Sequence, residues 1–480
     1  MQRLFRATAK LPYDPDDLDV GIVHLGVGAF HRAHQAAYTD DVLKSGDRRW
    51  GIVGASLRGA QTRAALAPQD FLYTLAERDE AGERLRVIAA LRDVIVAPQQ
   101  PRALIAAMCR PSVKIVTLTV TEKGYAHDPA SGELNEDHDD VRHDIAHPEA
   151  PRSAPGFLTA ALAERRRLGF PPFTVLCCDN LPANGHTVRK VVSRLAALQD
   201  KELGRFVEGE VAFPSTMVDR IVPATTDEDR ARIAAALGLH DAWPVVTETF
   251  RQWVIEDHFP QTRPDWAATF VADVAPFETM KLRLLNGAHS SLAYLGYLAG
   301  FETVADAMAD PALAAYIARL MHDEVTPTLK APPGFDVEAY KKALLWRFRN
   351  PALRHRTWQI AMDGSQKLPQ RLLATIRERL ALQADISCLT LGVAAWMRYV
   401  TGVDEKGSAI DVRDPLRGDL RTRADAAGLN AARLAPALLA VEPVFGKDLR
   451  DNQLFATAVT TALDSLIRLG AGETLRRLAL

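Results

Sequence analysis

The sequence predicts an N-terminal α/β domain built on a mostly parallel sheet, followed by a C-terminal, mainly α-helical domain. Four short apolar runs have the residue composition of buried parallel strands, at residues 21–25, 51–55, 113–120 and 173–178. From about residue 290 onward, Ala, Leu and Arg recur with a helical period. We place the boundary after residue 275, which gives domains of residues 1–275 and 276–480.

A glycine-rich turn follows the first apolar run. Strand, glycine turn and helix together are the context of a dinucleotide-binding fingerprint. Gly26 permits the tight turn, and Gly28 lets backbone N–H groups approach a pyrophosphate. His31 stands where the third glycine is usual. The pattern predicts a Rossmann-like domain, with an ordinary glycine turn as the alternative.

The second predicted strand bears on the choice of cofactor. An acidic residue after this strand normally binds the ribose 2′-OH of NAD, but residues 56–61 contain none. Only Arg58 and Arg63 follow the strand, too few basic groups for a strong 2′-phosphate site. We therefore predict NAD and leave NADP open.

Polar residues follow the other two predicted strands, at residues 121–125 and 179–185. The carboxyl ends of parallel strands line the ligand crevice of an open α/β sheet. Both segments are therefore candidates for the site, although Asn- and Gly-containing loops are usually turns.

A second motif consists of three polar residues, Lys281, Asn286 and His289, in a segment that is otherwise a leucine-rich predicted helix. Glu278 lies one turn upstream of Lys281. At about 100° per residue, Asn286 and His289 lie about 140° and 80° round the helix from Lys281. Burial of an ammonium group lowers a lysine pKa toward neutrality. Lys281 is therefore a candidate general base, with the amide and the imidazole as hydrogen-bond donors. The alternative is a surface lysine beside a satisfied core asparagine and histidine.

The amino-acid composition and net charge limit the classes of molecule that the protein is expected to bind. The chain has 480 residues, of which 48% are hydrophobic and 25% are charged, with a net charge of −2. This balance favours neither nucleic acid nor an anionic membrane as a partner. We expect no membrane span and no signal peptide, and hence a cytoplasmic protein. The four cysteines (Cys109, Cys177, Cys178 and Cys388) lack CxxC spacing, which is typical of reduced thiols.

We predict no metal site. The acidic cluster at residues 136–140, with His143 and His147 nearby, has adjacent rather than spaced carboxylates and is typical of a solvated loop. A zinc-dependent alcohol dehydrogenase would need three protein ligands that the sequence does not show. A nucleotide-binding regulator without catalysis would have no use for Lys281, Asn286 and His289 together.

Several blocks, in one order across nearly the whole chain, resemble the polyol-specific long-chain dehydrogenases, the mannitol dehydrogenase family. The most specific is the Lys-x4-Asn-x2-His spacing of the Lys281 helix. The other blocks are residues 26–35, 119–125, 178–180, 217–221, 253–257 and 361–369.

The resemblance implies metal-independent hydride transfer between a nicotinamide and a secondary alcohol or ketone of an acyclic sugar. Lys281 matches the catalytic lysine of the family, and Asn180 and Asn286 match the pair that holds the substrate oxygen. His289 matches a residue that positions the substrate, and Lys367 matches a substrate-binding lysine. The remaining matches are Glu122 and Glu278 for proton passage, and Gly26, Gly28, Ala29, Phe30 and Val218 for the cofactor.

The resemblance leaves two substrate classes. D-Mannitol/D-fructose is predicted first, and fructuronate reduction (D-mannonate oxidation) is the alternative, because residues 356–367 are at least as similar to fructuronate reductases. A carboxylate would favour an arginine or lysine, for which Lys367, Arg283 and Arg371 are candidates. We expect a sugar alcohol or hexuronate as the only partner class, and a monomer or weak homo-oligomer.

Overall fold

The structure is a computed structural model that describes residues 2–128, 132–332 and 334–478. The chain divides into two compact units, Met1–Glu278 and Thr279–Leu480. The predicted boundary falls in the same helix, Ala275–Lys281, in which this division occurs.

The N-terminal unit contains eleven described strands, which are β1 (Val20–Leu25), β2 (Gly51–Ser56), β3 (Tyr73–Asp79), β4 (Gly82–Ile88), β5 (Leu91–Val96), β6 (Ile115–Leu118), β7 (Thr174–Cys177), β8 (Thr216–Asp219), β9 (Val245–Glu248), β10 (Gln252–Glu256) and β11 (Thr269–Val271). A five-stranded parallel sheet forms the centre of the unit, in the order β5-β2-β1-β6-β7. Smaller three-stranded sheets have the orders β11-β10-β8 and β4-β3-β9.

The four predicted strands are β1, β2, β6 and β7, and their apolar side chains pack on both faces of the sheet. Sequence reasoning missed β5, because Arg92 and Asp93 interrupt its apolar run. It also missed the two small sheets. The β3–β4 hairpin has a largely exposed second strand, so a buried-strand pattern does not reveal it.

Helices cover the parallel sheet of the N-terminal unit. The α-helices that precede the junction are Ala29–Ala33, Gln35–Lys44, Gln61–Leu66, Pro101–Met108, Asp139–Ala146, Ala154–Arg167, Asn184–Gln199, Lys201–Glu210 and Asp227–Leu237. Short 3₁₀ turns occur at Pro15–Asp17, Arg48–Trp50, Ala67–Gln69 and Glu122–Tyr125.

The C-terminal unit is helical throughout its described elements. Its α-helices are Ala288–Leu298, Val304–Ala309, Pro311–Arg319, Val337–Phe348, Thr357–Ala361, Gly364–Leu368, Ala374–Ala381, Ser387–Tyr399, Arg417–Ala427, Ala431–Leu439, Glu442–Arg450 and Gln453–Leu478. Segments with π-helical bonding are Leu282–Gly287, Leu320–Val325 and Pro369–Leu373, and 3₁₀ turns are Thr326–Thr328 and Pro351–Leu353. The helix Ser387–Tyr399 is buried along nearly its whole length, as expected of a core helix. The predicted fold class, a Rossmann-like domain followed by a mainly helical domain, is confirmed.

The last helix, Gln453–Leu478, is long and apolar enough to cross a membrane by length and composition. The expectation of no membrane span stays a prediction. The helix bends at Gly470, where φ is 78°. Its buried residues Phe455, Val459, Leu463 and Leu466 recur every three or four positions, the spacing of one helix face packed on a core.

Candidate active site

The glycine turn after β1 has the geometry of a dinucleotide-binding loop. Gly26 has a φ of +96°, and an added Cβ there would lie 2.2 Å from the Thr119 carbonyl oxygen. At Gly28 an added Cβ would meet no atom closer than 4.0 Å, so this residue borders open space. The bare backbone at Gly28 leaves room for a pyrophosphate, and the turn therefore fits a nicotinamide dinucleotide.

A histidine pair supports this turn. The His24 and His31 rings stack with centroids 3.4 Å apart, and His24 Nε2 lies 3.1 Å from the Gly26 carbonyl oxygen. Burial lowers the pKa of His24 to about 3 and that of His31 well below its usual range, so both rings are neutral. The stack joins β1 to the helix Ala29–Ala33, where the usual third glycine would allow close strand–helix packing.

The other predicted cofactor residues lie in regular elements. Ala29 and Phe30 begin the helix after the turn. Val218 is in β8, where it pairs with Trp253 and is 3% exposed. Their contacts with a cofactor stay predictions.

The end of β2 carries little positive charge directed at a ligand. Arg63 is bound to the Asp93 carboxylate and to the Val94 carbonyl oxygen. Arg58 is exposed. Arg63 is thus engaged in an ion pair, which leaves Arg58 as the basic residue near the end of this strand.

The segments after β6 and β7 carry two of the predicted site residues, Glu122 and Asn180, and a third, Glu278, contacts the second segment. Asn180 is exposed and follows Asp179, and Glu122 is exposed at the start of its 3₁₀ turn. The Glu278 carboxylate accepts a hydrogen bond from the Ala183 N–H at 3.0 Å, in the loop that follows Asn180. The structure therefore brings Glu278 to the same loop as Asn180.

Lys281, Asn286 and His289 are buried in the C-terminal unit, at 7%, 8% and 8% exposure. The alternative of a surface lysine is therefore wrong. Burial of the three polar side chains in one leucine-rich segment is the environment that the predicted acid–base role requires.

The helix carrying these residues is not a regular α-helix. Residues Leu282–Gly287 form a π-helical segment between Lys281 and the helix Ala288–Leu298. The wider turn changes the angular spacing between Lys281 and Asn286, so the angles expected for an ideal α-helix do not apply. Single π-turns inside α-helices occur frequently at functional sites.

His289 presents an unsatisfied nitrogen. Its ring stacks on Phe348 with centroids 4.7 Å apart, and its buried Nε2 has no hydrogen-bond partner within the described residues. Burial lowers the pKa of His289 well below its usual range, and nearby His355, Arg371, Arg347 and Lys367 lower it further. A neutral imidazole with an open nitrogen is suited to hydrogen bonding with a substrate hydroxyl or carbonyl group.

Two basic side chains near His289 are held by hydrogen bonds, Lys367 to backbone oxygens and Arg371 to a side-chain hydroxyl. Lys367 Nζ donates to the Met362 carbonyl oxygen at 2.6 Å and to that of Ile360 at 3.2 Å. Arg371 donates to Ser290 Oγ at 3.1 Å. No local sequence pattern predicts this contact between Arg371 and the Lys281 helix, because about 80 residues separate them along the chain.

Arg283, a candidate for binding a substrate carboxylate, has a structural role instead. Its guanidinium donates to both Glu378 carboxylate oxygens, at 2.6 and 2.7 Å, and to Thr328 Oγ1 at 2.9 Å. The hydrogen bond from Arg283 lowers the pKa of Glu378. This bidentate pair satisfies the guanidinium inside the protein.

Among residues 2–128, 132–332 and 334–478, no group of three or more His, Cys, Asp or Glu side chains is arranged to hold a metal ion. All four cysteines are free and buried.

Comparison with known proteins covers nearly the whole chain. Residues 20–268 match the mannitol dehydrogenase Rossmann domain, and residues 273–467 match the mannitol dehydrogenase C-terminal domain. D-Mannonate oxidoreductase of Escherichia coli is 48% identical over 97% of both chains. Mannitol 2-dehydrogenase of Pyricularia oryzae is 40% identical over 96% of this chain and 94% of its own. The Pseudomonas fluorescens mannitol 2-dehydrogenase ternary complex with NAD and D-mannitol superposes with a TM-score of 0.93, at 40% identity over 99% of both chains.

The fold and the glycine turn, together with these matches, define a nicotinamide-dependent oxidoreductase that acts on polyols or sugar acids. The chain belongs to the mannitol dehydrogenase family. The predicted family, enzyme class and NAD cofactor are confirmed. The roles of individual site residues stay predictions.

Proposed function

We propose that the protein interconverts a hexonate such as D-mannonate and its keto acid, fructuronate, with NAD as the hydride acceptor. The observation that carries this proposal is the charge around His289. Arg371, Arg347 and Lys367 lie close enough to depress the pKa of His289. The same positive charges would attract a substrate carboxylate.

Sequence identity supports the same substrate class. The chain is 48% identical to D-mannonate oxidoreductase of Escherichia coli and 40% identical to mannitol 2-dehydrogenase of Pyricularia oryzae. The mannitol/fructose pair is the second candidate. Its support is the close superposition on the Pseudomonas fluorescens mannitol 2-dehydrogenase complex.

In the proposed mechanism Lys281 is the acid–base group. For alcohol oxidation, neutral Lys281 accepts the hydroxyl proton while the carbon–hydrogen bond breaks and the carbonyl forms. Bound NAD supplies the acceptor for the hydride. For ketone reduction, protonated Lys281 donates a proton to the oxygen. Burial of Lys281, at 7% exposure, favours its neutral form and supports this role.

Other polar side chains would orient the reacting oxygen. The Asn180 and Asn286 amides are proposed to donate hydrogen bonds to it, which stabilises negative charge in the transition state. His289 would bind a substrate hydroxyl group, and Lys367 would attract the substrate carboxylate. Glu122 and Glu278 would pass the proton onward.

A substrate panel tests the proposed class. We expect kcat/KM in the oxidative direction to be highest for D-mannonate and to fall as ionic strength rises, because salt screens attraction to a carboxylate. D-Mannitol, D-arabinitol and D-sorbitol, assayed at the same pH, serve as neutral comparisons. An advantage for D-mannonate of about tenfold corresponds to about 1.4 kcal/mol.

Single substitutions test which basic residues produce the expected preference for a substrate carboxylate. Lys367→Met and Arg371→Met are expected to reduce kcat/KM for D-mannonate more than for D-mannitol, and Lys342→Met, at an exposed position, should change neither. If D-mannitol is preferred about tenfold and salt has no effect, the hexonate proposal is wrong and the mannitol/fructose pair replaces it.

The cofactor preference is tested separately. We expect kcat/KM with NAD to exceed that with NADP, because Arg63 is occupied by Asp93 and Arg58 is a single exposed cation. Arg58→Ala should leave the NAD value unchanged. A clear preference for NADP that Arg58→Ala removes would show that Arg58 forms a 2′-phosphate site.

We also propose a cytoplasmic location and a monomeric or weakly associated state. Four buried, free cysteines support a reducing compartment.

A further inference from the structure

The Asp179 carboxylate joins two loops at the carboxyl ends of β6 and β7. It accepts hydrogen bonds from the Val120 N–H at 2.8 Å, from the Thr121 N–H at 3.1 Å and from the Tyr125 hydroxyl at 2.6 Å. All three donors belong to the segment after β6. Asp179 itself directly precedes Asn180 in the segment after β7.

The segment that Asp179 holds has an unusual backbone. Thr121 has a φ of +67° and a ψ of 163°, a conformation that costs about 1–3 kcal/mol for a residue other than glycine. The next residue, Glu122, begins a short 3₁₀ turn that ends at Tyr125. The hydrogen bonds to Asp179 therefore anchor both ends of this turn and stabilise the strained residue beside it.

The chemistry of the anchor requires a carboxylate. Two ionised oxygens accept three donors at once, whereas an asparagine amide has only one accepting oxygen and would direct N–H groups at other donors. A buried donor left without an acceptor is unfavourable. Replacing Asp179 by Asn would therefore release at least one of the two loop contacts while barely changing the size of the side chain.

We propose that Asp179 is a positioning residue of the reaction, whose carboxylate fixes the Asn180 loop against the Thr121–Glu122 segment. Asp179 acts through these neighbours. The inference rests on the proposed role of Asn180 as a hydrogen-bond donor to the substrate oxygen. A displacement of about 1 Å in such a group can lower turnover about 10²-fold.

The surroundings of Asp179 make the contact sensitive to pH. Burial raises the pKa of Asp179 to about 6, the hydrogen bonds from Tyr125, Val120 and Thr121 lower it, and the Glu122 carboxylate raises it. The Cys177 thiol also faces this group, and burial raises its pKa above the usual range, as it does for Cys178. Below about pH 6 the protonated carboxyl group loses acceptor capacity, so kcat is expected to fall on the acid side.

The test compares Asp179→Asn, Tyr125→Phe and Asn180→Ala with the full-length wild-type enzyme. For Asp179→Asn we expect kcat to fall about tenfold to 100-fold, with the Kd for NAD unchanged and a larger deuterium isotope effect on kcat. Tyr125→Phe keeps the carboxylate but removes a donor that lowers its pKa, so the acid limb of the kcat profile should move to higher pH. Thermal unfolding checks that each variant is folded.

Suppose that Asn180→Ala has a lowered kcat. The inference is then overturned if Asp179→Asn keeps the wild-type kcat, or if the acid limb of the kcat profile does not move in Tyr125→Phe. Equal losses in kcat and NAD affinity would indicate a merely structural residue and would also overturn it. If Asn180→Ala has wild-type kcat, the proposed role of Asn180 and this inference fail together. Tyr125→Phe keeps the test decisive if Asp179→Asn does not fold.

Discussion

Lys281→Ala is expected to lower kcat by about 10²–10⁴-fold in both reaction directions, the range that a positioned general acid or base supplies. The reason is that Lys281 is 7% exposed and lies beside the π-helical segment that carries Asn286. The Kd for NAD should be unchanged. Added primary amines should restore part of the activity of the alanine variant.

Two further variants distinguish the proton-transfer role of Lys281 from the effect of a positive charge at this position. Lys281→Arg keeps a positive charge but cannot release a proton near neutral pH, so its kcat should be as low as that of Lys281→Ala. Lys342→Ala, a matched change at an exposed lysine, should have wild-type activity. Near-normal kcat in a folded Lys281→Ala protein would contradict the assignment of the base.

Asn286→Ala is expected to lower kcat by about 10²–10³-fold, because removal of one preorganised donor to a developing oxyanion costs about 2.7–4 kcal/mol. Asn286→Asp keeps the size of the side chain but removes the amide N–H donor, and should show a loss of the same order. The neighbouring contact of Arg371 is to the Asn286 carbonyl oxygen of the backbone, at 3.5 Å, so it does not depend on the side chain. Steady-state kcat and the Kd for NAD are measured for each variant and compared with the wild-type values. A variant that loses only NAD affinity would show that Asn286 serves the cofactor instead.

The sequence predicted the elements whose signal is local. β1, the glycine turn and the following helix appear where the pattern indicated, because a buried apolar strand and a glycine with a φ of +96° leave few alternatives. The burial of Lys281, Asn286 and His289 also followed from the leucines around them. In each case neighbouring residues in the chain determine the environment.

The features that sequence reasoning missed depend on distant partners or on small energy differences. Arg283 pairs with Glu378, 95 positions later, so nothing local showed that this arginine was occupied. The hydrogen bonds of the π-helical segment Leu282–Gly287 span one residue more than those of an α-helix, and no residue pattern marks this difference. The anchor at Asp179 could have been found, since a polar residue at the end of a buried strand was already a candidate, but its three donors come from another loop.

The central claim is a direct hydride transfer from a sugar-acid or polyol carbon to NAD, with Lys281 as the base. The most direct measurement is the mass of the reduced cofactor formed from D-mannonate or D-mannitol fully deuterated on carbon, in ordinary water. We expect each NADH to carry one deuterium and to form in equal amount to the oxidised substrate. In Lys281→Ala the rate of deuterium transfer should fall in parallel with kcat. Reduced cofactor without deuterium, or no reduction with either substrate in a folded enzyme, would contradict it.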